Sequence, residues 1–254
     1  MTAEIHLVAL SGGKDSSAMA LRLREEHPDI AFRYICTPTG NELPSMIAHW
    51  TRLESLLGSQ IEHVKAPMDL VQISRRQKML PNTRMRWCTR LTKIVPYLAF
   101  VARLRTQTPG VRVISYVGLR ADEPAEDRGG MFGDGIDEYR FPLREWGWSL
   151  GDVADYLGRR GVVIPPRTDC AICPFQRLGE WHALWRDYPD AFEQGVALER
   201  EISAAVGRAV TIRSPSRDTW PADLAGLRAR FEAGAIPPTR GVGDKHAKCR
   251  ICSL

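Results

Sequence analysis

A short run near the N-terminus combines residue types that bind phosphate groups. It consists of Ser11, Gly12, Gly13, Lys14, Asp15 and Ser16. The glycines let backbone N–H groups turn toward one point, the lysine adds a positive charge and the serines add hydroxyl donors. A helix predicted to follow adds its unpaired N–H groups and positive dipole end. The run therefore predicts a phosphate-binding turn, since helix capping alone needs neither the lysine nor the paired glycines, and its spacing is not the Walker pattern.

Cysteines form the second chemically informative set. Six are present, and in a chain without an export signal they are more often metal ligands or reactive thiols than disulfides. Cys170 forms a CxxC pair with Cys173, and Cys249 forms another with Cys252. The two pairs would complete a zinc site, whereas a 4Fe–4S cluster would take Cys88, the first pair and one further cysteine. In the second case a C-terminal thiol is left to carry sulfur.

The surrounding pattern alternates strands with helices. Strands are predicted at residues 5–10, 30–36, 61–64 and 111–118, and helices at residues 17–26, 44–57, 88–105, 149–160 and 180–207, the last with a break near Pro189. This order predicts an α/β fold with a doubly wound, mostly parallel, Rossmann-like sheet. Residues 1–163 would form the nucleotide-binding domain, and residues 164–254 a smaller helical, cysteine-containing region. Cys36, at a strand end, is interpreted as a core residue.

Composition is compatible with a globular enzyme. The chain has 254 residues, of which 44% are hydrophobic and 26% are charged, enough to bury a full core. No stretch approaches the roughly 18 consecutive apolar residues of a membrane span, and no signal peptide is visible, so a cytoplasmic protein without a membrane partner is expected. The net charge of +5 is compatible with a nucleotide or nucleic-acid partner.

Several segments together resemble one known family. The run at residues 11–16 resembles the signature loop of the PP-loop, or adenine nucleotide alpha hydrolase, superfamily. Further segments occur in the order found in the phosphoadenosine phosphosulfate (PAPS) reductase family. They are Thr37-Pro38-Thr39-Gly40, Arg86-Trp87-Cys88-Thr89, Gly118-Leu119-Arg120-Ala121-Asp122-Glu123 with Arg128, and Cys170-Ala171-Ile172-Cys173-Pro174-Phe175. The resemblance extends from the first strand to about Phe192.

The resemblance implies ATP binding and cleavage between the α and β phosphates, which activates an acceptor as its adenylate. The predicted nucleotide-binding residues are the loop at 11–16 with Thr39, Gly40, Gly118, Arg120, Glu123 and Arg128. In a doubly wound sheet the loop at 11–16, Thr39, Gly40, Gly118 and Arg120 would lie at the edge where ligands bind. Arg120 and Arg128 would hold phosphates, and Asp15 or Glu123 would hold Mg²⁺.

Two departures place the chain away from the reductases themselves. Trp87 stands where adenosine phosphosulfate reductases have the first of two adjacent cysteines, and the C-terminal Lys248-Cys249-Arg250-Ile251-Cys252 replaces the Glu-Cys-Gly motif of PAPS reductases. The chain looks more like the sulfurtransferase subunits of DNA phosphorothioation systems. That likeness implies an ATP-dependent sulfurtransferase acting on DNA or another nucleic acid, with a cysteine desulfurase or further subunits as partners.

The catalytic residues of such an enzyme would be Lys14, Asp15, Arg120, Cys249 and Cys252. Sulfur would arrive as a persulfide on one of the two C-terminal cysteines, or on the open iron of a cluster. A basic concentration would bind a nucleic-acid backbone, although a solvated surface explains it equally well. It comprises Arg75, Arg76, Lys78, Arg84, Arg86 and Arg90.

Two alternatives stay open. The first is a sulfonucleotide reductase of altered pattern, which would turn over PAPS or its dephosphorylated relative with a thioredoxin-type reductant and without ATP. The second is a non-catalytic nucleotide or nucleic-acid binding module whose cysteines hold structural zinc. The intact phosphate loop with Arg120 and Glu123 argues against the second, and the missing Glu-Cys-Gly tail argues against the first.

Overall fold

A five-stranded parallel sheet forms the centre of the molecule. The computed structural model describes residues 3–124, 135–216 and 218–238. The strands are β1 (Glu4–Ala9), β2 (Phe32–Cys36), β3 (Ile61–His63), β4 (Arg112–Tyr116) and β5 (Glu138–Arg140), in the spatial order β3-β2-β1-β4-β5. Every neighbouring pair is parallel. The predicted doubly wound α/β sheet is therefore confirmed, with β5 as an edge strand that the sequence pattern did not indicate.

Helices connect the strands and form the C-terminal region. They are α1 (Lys14–Glu26), α2 (Pro44–Leu57), α3 (Leu70–Gln77), α4 (Trp87–Thr89), α5 (Val95–Gln107), α6 (Pro142–Glu145), α7 (Leu150–Arg159), α8 (Leu178–Asp187), α9 (Pro189–Val206) and α10 (Leu224–Glu232). The predicted break near Pro189 is confirmed between α8 and α9. Across the described ranges, no helix is both long and apolar enough to cross a membrane.

Three helix predictions need correction. Helix α1 begins at Lys14 rather than at residue 17, because Gly13 already has the extended backbone of an N-cap. The helix predicted at 88–105 is divided by a π-helical turn, Arg90–Ile94, which ends just before Pro96, a residue of α5 that cannot donate a backbone hydrogen bond. Helix α3 was missed within a polar stretch. A capping box starts it, in which Asp69 Oδ1 accepts from the Gln72 N–H at 2.7 Å.

Both faces of the sheet are covered by helices. On one face, Val8 and Tyr34 pack with residues of α1, α2 and α7. On the other face, Leu7 and Ile35 pack with Phe100 and its neighbours on α5. A separate cluster joins α8, α9 and α10 to α3 and Trp87. Helices that follow residue 163 therefore pack on α3 and Trp87, which precede it. The domain boundary at residue 163 stays a prediction.

Candidate functional site

A cavity of about 260 Å³ opens at the carboxyl ends of β1, β2 and β4. Within the sheet, β2 lies on one side of β1 and β4 lies on its other side, so the strand order reverses at β1. The cavity lies at this switch point, where ligands bind in sheets of this type. Its wall includes most of the predicted nucleotide-binding residues and one predicted metal ligand. They are Ser11, Gly13, Lys14, Asp15, Ser16, Thr39, Gly118 and Cys170.

The phosphate loop presents the N-terminus of α1 to this cavity. Its N-cap residue, Gly13, supplies no side-chain cap for the first helical turn. Within the loop, the hydroxyl of Ser16 donates to the carbonyl oxygen of Gly13 at 3.1 Å and contacts the Ser11 hydroxyl at 3.1 Å. The first-turn N–H groups of a helix have no intrahelical acceptor, and they carry the positive end of the dipole. The loop can therefore bind an anion, with Lys14 beside it.

Helix α2 fixes the loop from behind. Gly12 has a positive φ of 86°, and a Cβ atom there would lie 2.2 Å from Met46 Cε and 2.7 Å from Trp50 Nε1. The Trp50 indole also donates to the Ser11 carbonyl oxygen at 2.9 Å. Gly12 is therefore required both by conformation and by space. Sequence reasoning missed Trp50, because nothing in the local pattern of α2 points to the loop.

Asp15 is held in a buried ion pair. Arg120 Nη1 lies 2.7 Å from Asp15 Oδ2, and both side chains are almost completely buried. Arg120 Nε also bonds Asp122 at 2.9 Å, and Nη2 lies 3.7 Å from a Glu123 oxygen. The pKa of Asp15 is raised, because the effect of burial exceeds the opposite effect of the positive charges of Arg120 and Lys14. Arg120 thus orients Asp15, whereas its predicted contact with phosphate stays a prediction.

The end of β4 lies directly against the phosphate loop. A Cβ atom at Gly118 would lie 3.1 Å from the Ser16 backbone nitrogen and 3.2 Å from the Asp15 carbonyl carbon. Both contacts are to backbone, which cannot move aside easily. Gly118 therefore allows this close approach, and the approach brings Arg120 within reach of Asp15.

The loop after β2 has an acceptor that the sequence analysis did not identify. The Glu42 carboxylate accepts from the Thr39 N–H and hydroxyl, both at 2.6 Å, and from the Gly40 N–H at 3.0 Å. Glu42 also lines the cavity. The predicted Thr39 and Gly40 thus bond to an internal carboxylate, which fixes the loop that they form.

The same loop anchors the first CxxC pair. Asn41 accepts from Ala171 N–H at 2.7 Å through its carbonyl oxygen, and from Ile172 N–H at 3.2 Å through Oδ1. An isolated antiparallel bridge joins Glu42 to Cys170. These contacts carry the pair from the C-terminal region to the cavity wall. Only the folded chain reveals the role of Asn41.

The cysteines of the described ranges are thiols at different depths. Cys170 is partly exposed in the cavity wall, and Cys173 is buried behind it. A side-chain hydrogen bond to Cys170, together with burial, raises the pKa of Cys173 well above its usual range. Burial and the nearby Cys173 raise the pKa of Cys88. Cys36 is 3% exposed within the core, as interpreted from the sequence, and burial raises its pKa to about 12.

A metal centre is not formed by these residues alone. Within the part of the chain that the structure describes, no group of three or more His, Cys, Asp and Glu side chains is gathered so that it could hold a metal ion. The predicted ligands Cys249 and Cys252 lie outside the described residues, as does the predicted phosphate ligand Arg128. The described donor set therefore does not fit a zinc site or a 4Fe–4S cluster by itself.

Two further charged residues lie beside the cysteine side of the site. Lys93 lines the cavity. Burial raises the pKa of Asp169, and the positive charges of Lys93, Arg167 and Lys14 partly offset that effect. Asp169, next to the CxxC pair, thus interacts electrostatically with Lys14 of the phosphate loop. Asp169 was missed, because a single aspartate before a cysteine carries no distinctive pattern.

The basic concentration predicted from the sequence is spread over an exposed surface. Arg75 pairs with Glu201 of α9 at 2.9 Å, and both side chains are about half exposed. Arg86 stacks over the ring of Phe175 at 5.6 Å, next to the CxxC pair. Arg76, Lys78, Arg84 and Arg90 are also exposed. Within this set, Arg86 contacts the segment of the first CxxC pair through its stacking on Phe175.

Comparison with known proteins identifies the matching family. The sequence model of the phosphoadenosine phosphosulfate reductase domain matches residues 5–184. An uncharacterized protein of Methanocaldococcus jannaschii is 25% identical over 208 residues, which cover 78% of this chain and 42% of that protein. The chain therefore corresponds to less than half the length of this relative. The family match includes the phosphate loop, the loop after β2, the end of β4 and the first CxxC pair.

Proposed function

Because the chain belongs to the phosphoadenosine phosphosulfate reductase domain family, we propose that it is an ATP-dependent sulfurtransferase of this nucleotide-binding, sulfur-related group. In this proposal ATP activates an acceptor as its adenylate, and sulfur then displaces AMP. The observation that carries the proposal is the cavity that the N-terminus of α1, Lys14 and Cys170 all line. An anion site and a thiol in one cavity suit the two halves of that reaction.

The triphosphate is assigned to the phosphate loop. The uncapped first turn of α1 offers N–H donors, and Lys14 adds a charge that stabilises the departing pyrophosphate. Gly118 keeps the end of β4 close to this turn, so that one side of the cavity is backbone. An acceptor oxygen attacks the α phosphate, and the bond to the β phosphate oxygen breaks. Pyrophosphate leaves with the electron pair of that bond.

Asp15 is the residue that fits Mg²⁺. Its Oδ2 atom is bound by Arg120, while its buried Oδ1 atom has no hydrogen-bond partner among the described residues. A carboxylate oxygen in the wall of an anion site is a suitable magnesium ligand. When bound, the ion would neutralise charge on the phosphate oxygens. Arg120 holds the carboxylate in place, and its positive charge offsets part of the rise in the pKa of Asp15 that burial causes.

A nucleic acid is the proposed acceptor. The exposed basic surface that contains Arg75, Arg76, Lys78, Arg84, Arg86 and Arg90 supports a phosphate backbone as the ligand. Arg86 stacks on Phe175, which follows the first CxxC pair by two residues. An acceptor strand on this surface would be near the thiol at the cavity wall. A cysteine desulfurase or a partner subunit is the proposed sulfur source.

Replacing Lys14 tests the nucleotide assignment without knowledge of the acceptor. Lys14→Ala should weaken Mg²⁺-ATP binding about tenfold to a hundredfold, the worth of one charge-assisted contact, as measured by isothermal titration calorimetry. Pyrophosphate release in the presence of sheared DNA should fall at least in the same proportion. The matched control is Lys65→Ala, which removes an exposed lysine outside the cavity wall. Equal ATP binding by both variants would contradict the proposed site.

Sulfonucleotide reduction is the second candidate, because the matching family is described by that activity. The same cavity would then bind PAPS or its dephosphorylated relative, and a dithiol would supply the electrons. Sulfite release from either compound without ATP would favour this candidate. No sulfite release together with ATP-dependent pyrophosphate release would favour sulfur transfer.

A further inference from the structure

The first CxxC pair has an asymmetric environment. Cys170 is partly exposed and lines the cavity that contains Lys14, whereas Cys173 is 3% exposed. The two residues share one turn, which the Cys173 N–H closes by donating to the Cys170 carbonyl oxygen, and the interaction between their thiols raises the pKa of Cys173. The Cys170 sulfur can therefore meet a ligand in the cavity, while the Cys173 sulfur is buried behind the Cys170 sulfur. This is the arrangement that thiol exchange requires, in which one sulfur is attacked and a second resolves the product.

Hydrogen bonds fix the turn that holds the two sulfurs. The Cys173 N–H donates to the Cys170 carbonyl oxygen at 3.2 Å, which closes the turn. Arg167 Nη2 donates to the same carbonyl oxygen at 2.9 Å, and Asn41 accepts from Ala171 and Ile172. The side chain of Gln176 donates to the Ala171 carbonyl oxygen. The turn is thus fixed by hydrogen bonds of the protein itself, and it keeps Cys170 and Cys173 together.

We propose that Cys170 and Cys173 form a redox-active thiol pair, in which Cys170 carries sulfur into the nucleotide cavity and Cys173 releases the product by forming a disulfide. The proposal moves the sulfur-carrying role from the C-terminal cysteines to the CxxC pair at the cavity wall. Its transfer step rests on the proposed function, whereas the disulfide chemistry of the pair does not.

The atoms and electrons of the cycle balance with two co-reactants. A persulfide donor transfers its outer sulfur to the Cys170 thiol, which becomes a persulfide while the donor becomes a thiol. The outer sulfur then attacks the activated atom of the acceptor, and the bond from that atom to AMP breaks. Cys173 attacks the Cys170 sulfur and gives its proton to the outer sulfur, the bond between the Cys170 sulfur and the outer sulfur breaks, and the thiolated acceptor leaves as a thiol. The Cys170–Cys173 disulfide is the oxidised product, and a dithiol reductant restores both thiols.

Without an acceptor, the same pair has a simpler reaction. Cys173 attacks the Cys170 persulfide directly, hydrogen sulfide leaves and the disulfide forms. This reaction needs only a persulfide donor, and it requires neither ATP nor nucleic acid. It can therefore be measured separately from the proposed function.

Tryptic mapping tests the pair directly. Cleavage after Arg167 and Arg177 gives one peptide, residues 168–177, that contains both cysteines and no further cleavage site. The reduced full chain is treated with diamide, alkylated and digested. We expect this peptide to lose two hydrogen masses and to carry no alkyl group. Cys88 lies in a separate peptide, residues 87–90, so that a competing Cys88–Cys173 disulfide would appear as a cross-linked product.

A resolving-cysteine variant tests the roles of the two sulfurs. After treatment with inorganic polysulfide, Cys173→Ser should retain one extra sulfur mass on peptide 168–177, because the persulfide has no partner to release it. Cys170→Ser should retain none on this peptide, and the wild-type chain should release sulfide. Circular dichroism shows whether either variant folds. If a variant does not fold, the diamide result on the wild-type chain decides the proposal.

Three results would overturn the proposal. They are full alkylation of both cysteines after diamide, a cross-linked Cys88 product in place of the internal disulfide, and stoichiometric iron or zinc that both serine variants lose. ATP binding is measured on the same preparations. Normal ATP binding with no disulfide would reject the thiol pair alone, whereas a disulfide without ATP binding would reject the proposed function alone.

Discussion

Buried charges are stabilised differently at the nucleotide site and in the C-terminal helices. At the nucleotide site, Arg120 faces the carboxylates of Asp15, Asp122 and Glu123. In the C-terminal helices, the buried Glu199 of α9 accepts from two backbone N–H groups, those of Ile212 and Leu224, at 2.8 and 2.7 Å.

The difference concerns what each buried charge does for the fold. The Asp15–Arg120 pair joins side chains that are 105 positions apart, and so fixes the end of β4 to the start of α1. Glu199 instead stabilises backbone at the segments that precede and begin α10. The first arrangement compensates charge with charge. The second compensates charge mainly with backbone N–H donors, the charge of Arg213 has a smaller effect, and burial raises the pKa of the Glu199 carboxyl to about 7.

Breaking the ion pair should give the largest effect and would sharpen this contrast. Asp15→Asn leaves Arg120 buried without its closest carboxylate, so we expect a loss of about 3 kcal/mol in the free energy of unfolding. That is the lower end of the range for buried pairs, because Asp122 still bonds the guanidinium. Urea denaturation monitored by tryptophan fluorescence measures the loss.

The exposed Arg75–Glu201 pair provides the matched control. Glu201→Gln removes a carboxylate from a pair at 2.9 Å whose side chains are 53% and 46% exposed. Such pairs contribute about 0–1 kcal/mol. If Asp15→Asn costs no more than Glu201→Gln, the Asp15–Arg120 pair does not stabilise the nucleotide site, and the contrast between the two regions fails.

The pH dependence of stability tests the second region. In the unfolded chain the Glu199 carboxyl loses its proton near its ordinary pKa of 4.5, and in the folded chain it does so near 7. Between these values the folded state binds more protons, so the contribution of Glu199 to stability falls as the pH rises and is constant above the window. One pKa unit corresponds to about 1.4 kcal/mol, so the fall amounts to roughly 3 kcal/mol.

Glu199→Gln should remove this fall. The difference in unfolding free energy between wild type and variant, measured by urea denaturation at several pH values from 4.5 to 8, is expected to shift in favour of the variant as the pH rises. Glu193→Gln, at an exposed position of the same helix, controls for the loss of a carboxylate on α9. If the difference in unfolding free energy does not change with pH, burial does not raise the pKa of Glu199 in the folded chain.

The two regions also differ in how far the sequence predicts them. The phosphate loop, Gly118 and the parallel sheet follow from local patterns, because glycines, apolar runs and helix starts each act over a few residues. The structure brings Asp15, Arg120 and Glu123 together as ion-pair partners, and their nucleotide-binding roles stay predictions of the family resemblance. Trp50, which bonds the phosphate loop, was missed because contacts between elements distant in sequence leave no periodic signal. Glu42, which bonds the loop after β2, was missed because a single glutamate in a loop carries no distinctive pattern.

The C-terminal region was harder to predict for the same reason. Helix α10 was missed, because its N-terminus depends on the distant Glu199 as well as on Asp223. The position of the first CxxC pair depends on Asn41, which lies 131 positions before Ile172. The sequence therefore identified the cysteines as chemically important, while their place in the nucleotide cavity required the fold.

The smallest effect concerns how tightly α2 supports the phosphate loop. Gly12→Ala puts a methyl group 2.2 Å from Met46 Cε and 2.7 Å from Trp50 Nε1 at a positive φ of 86°. Gly58→Ala is the matched control, because Gly58 has a φ of 63° and nothing within 4 Å of the added Cβ atom.

The shared positive φ costs each variant about 1 kcal/mol, so the difference between them isolates the packing of the loop. We expect Gly12→Ala to lose a further 1–2 kcal/mol or so, as is usual when a methyl group enters a filled space. Urea denaturation measures both variants, and calorimetry with Mg²⁺-ATP shows whether the loop still binds. Met46 has a flexible end that can move, whereas the Trp50 indole is held by its bond to Ser11. Equal stability of the two variants would mean that α2 adjusts easily, and the rigid loop would then owe its shape to the Asp15–Arg120 pair rather than to packing from behind.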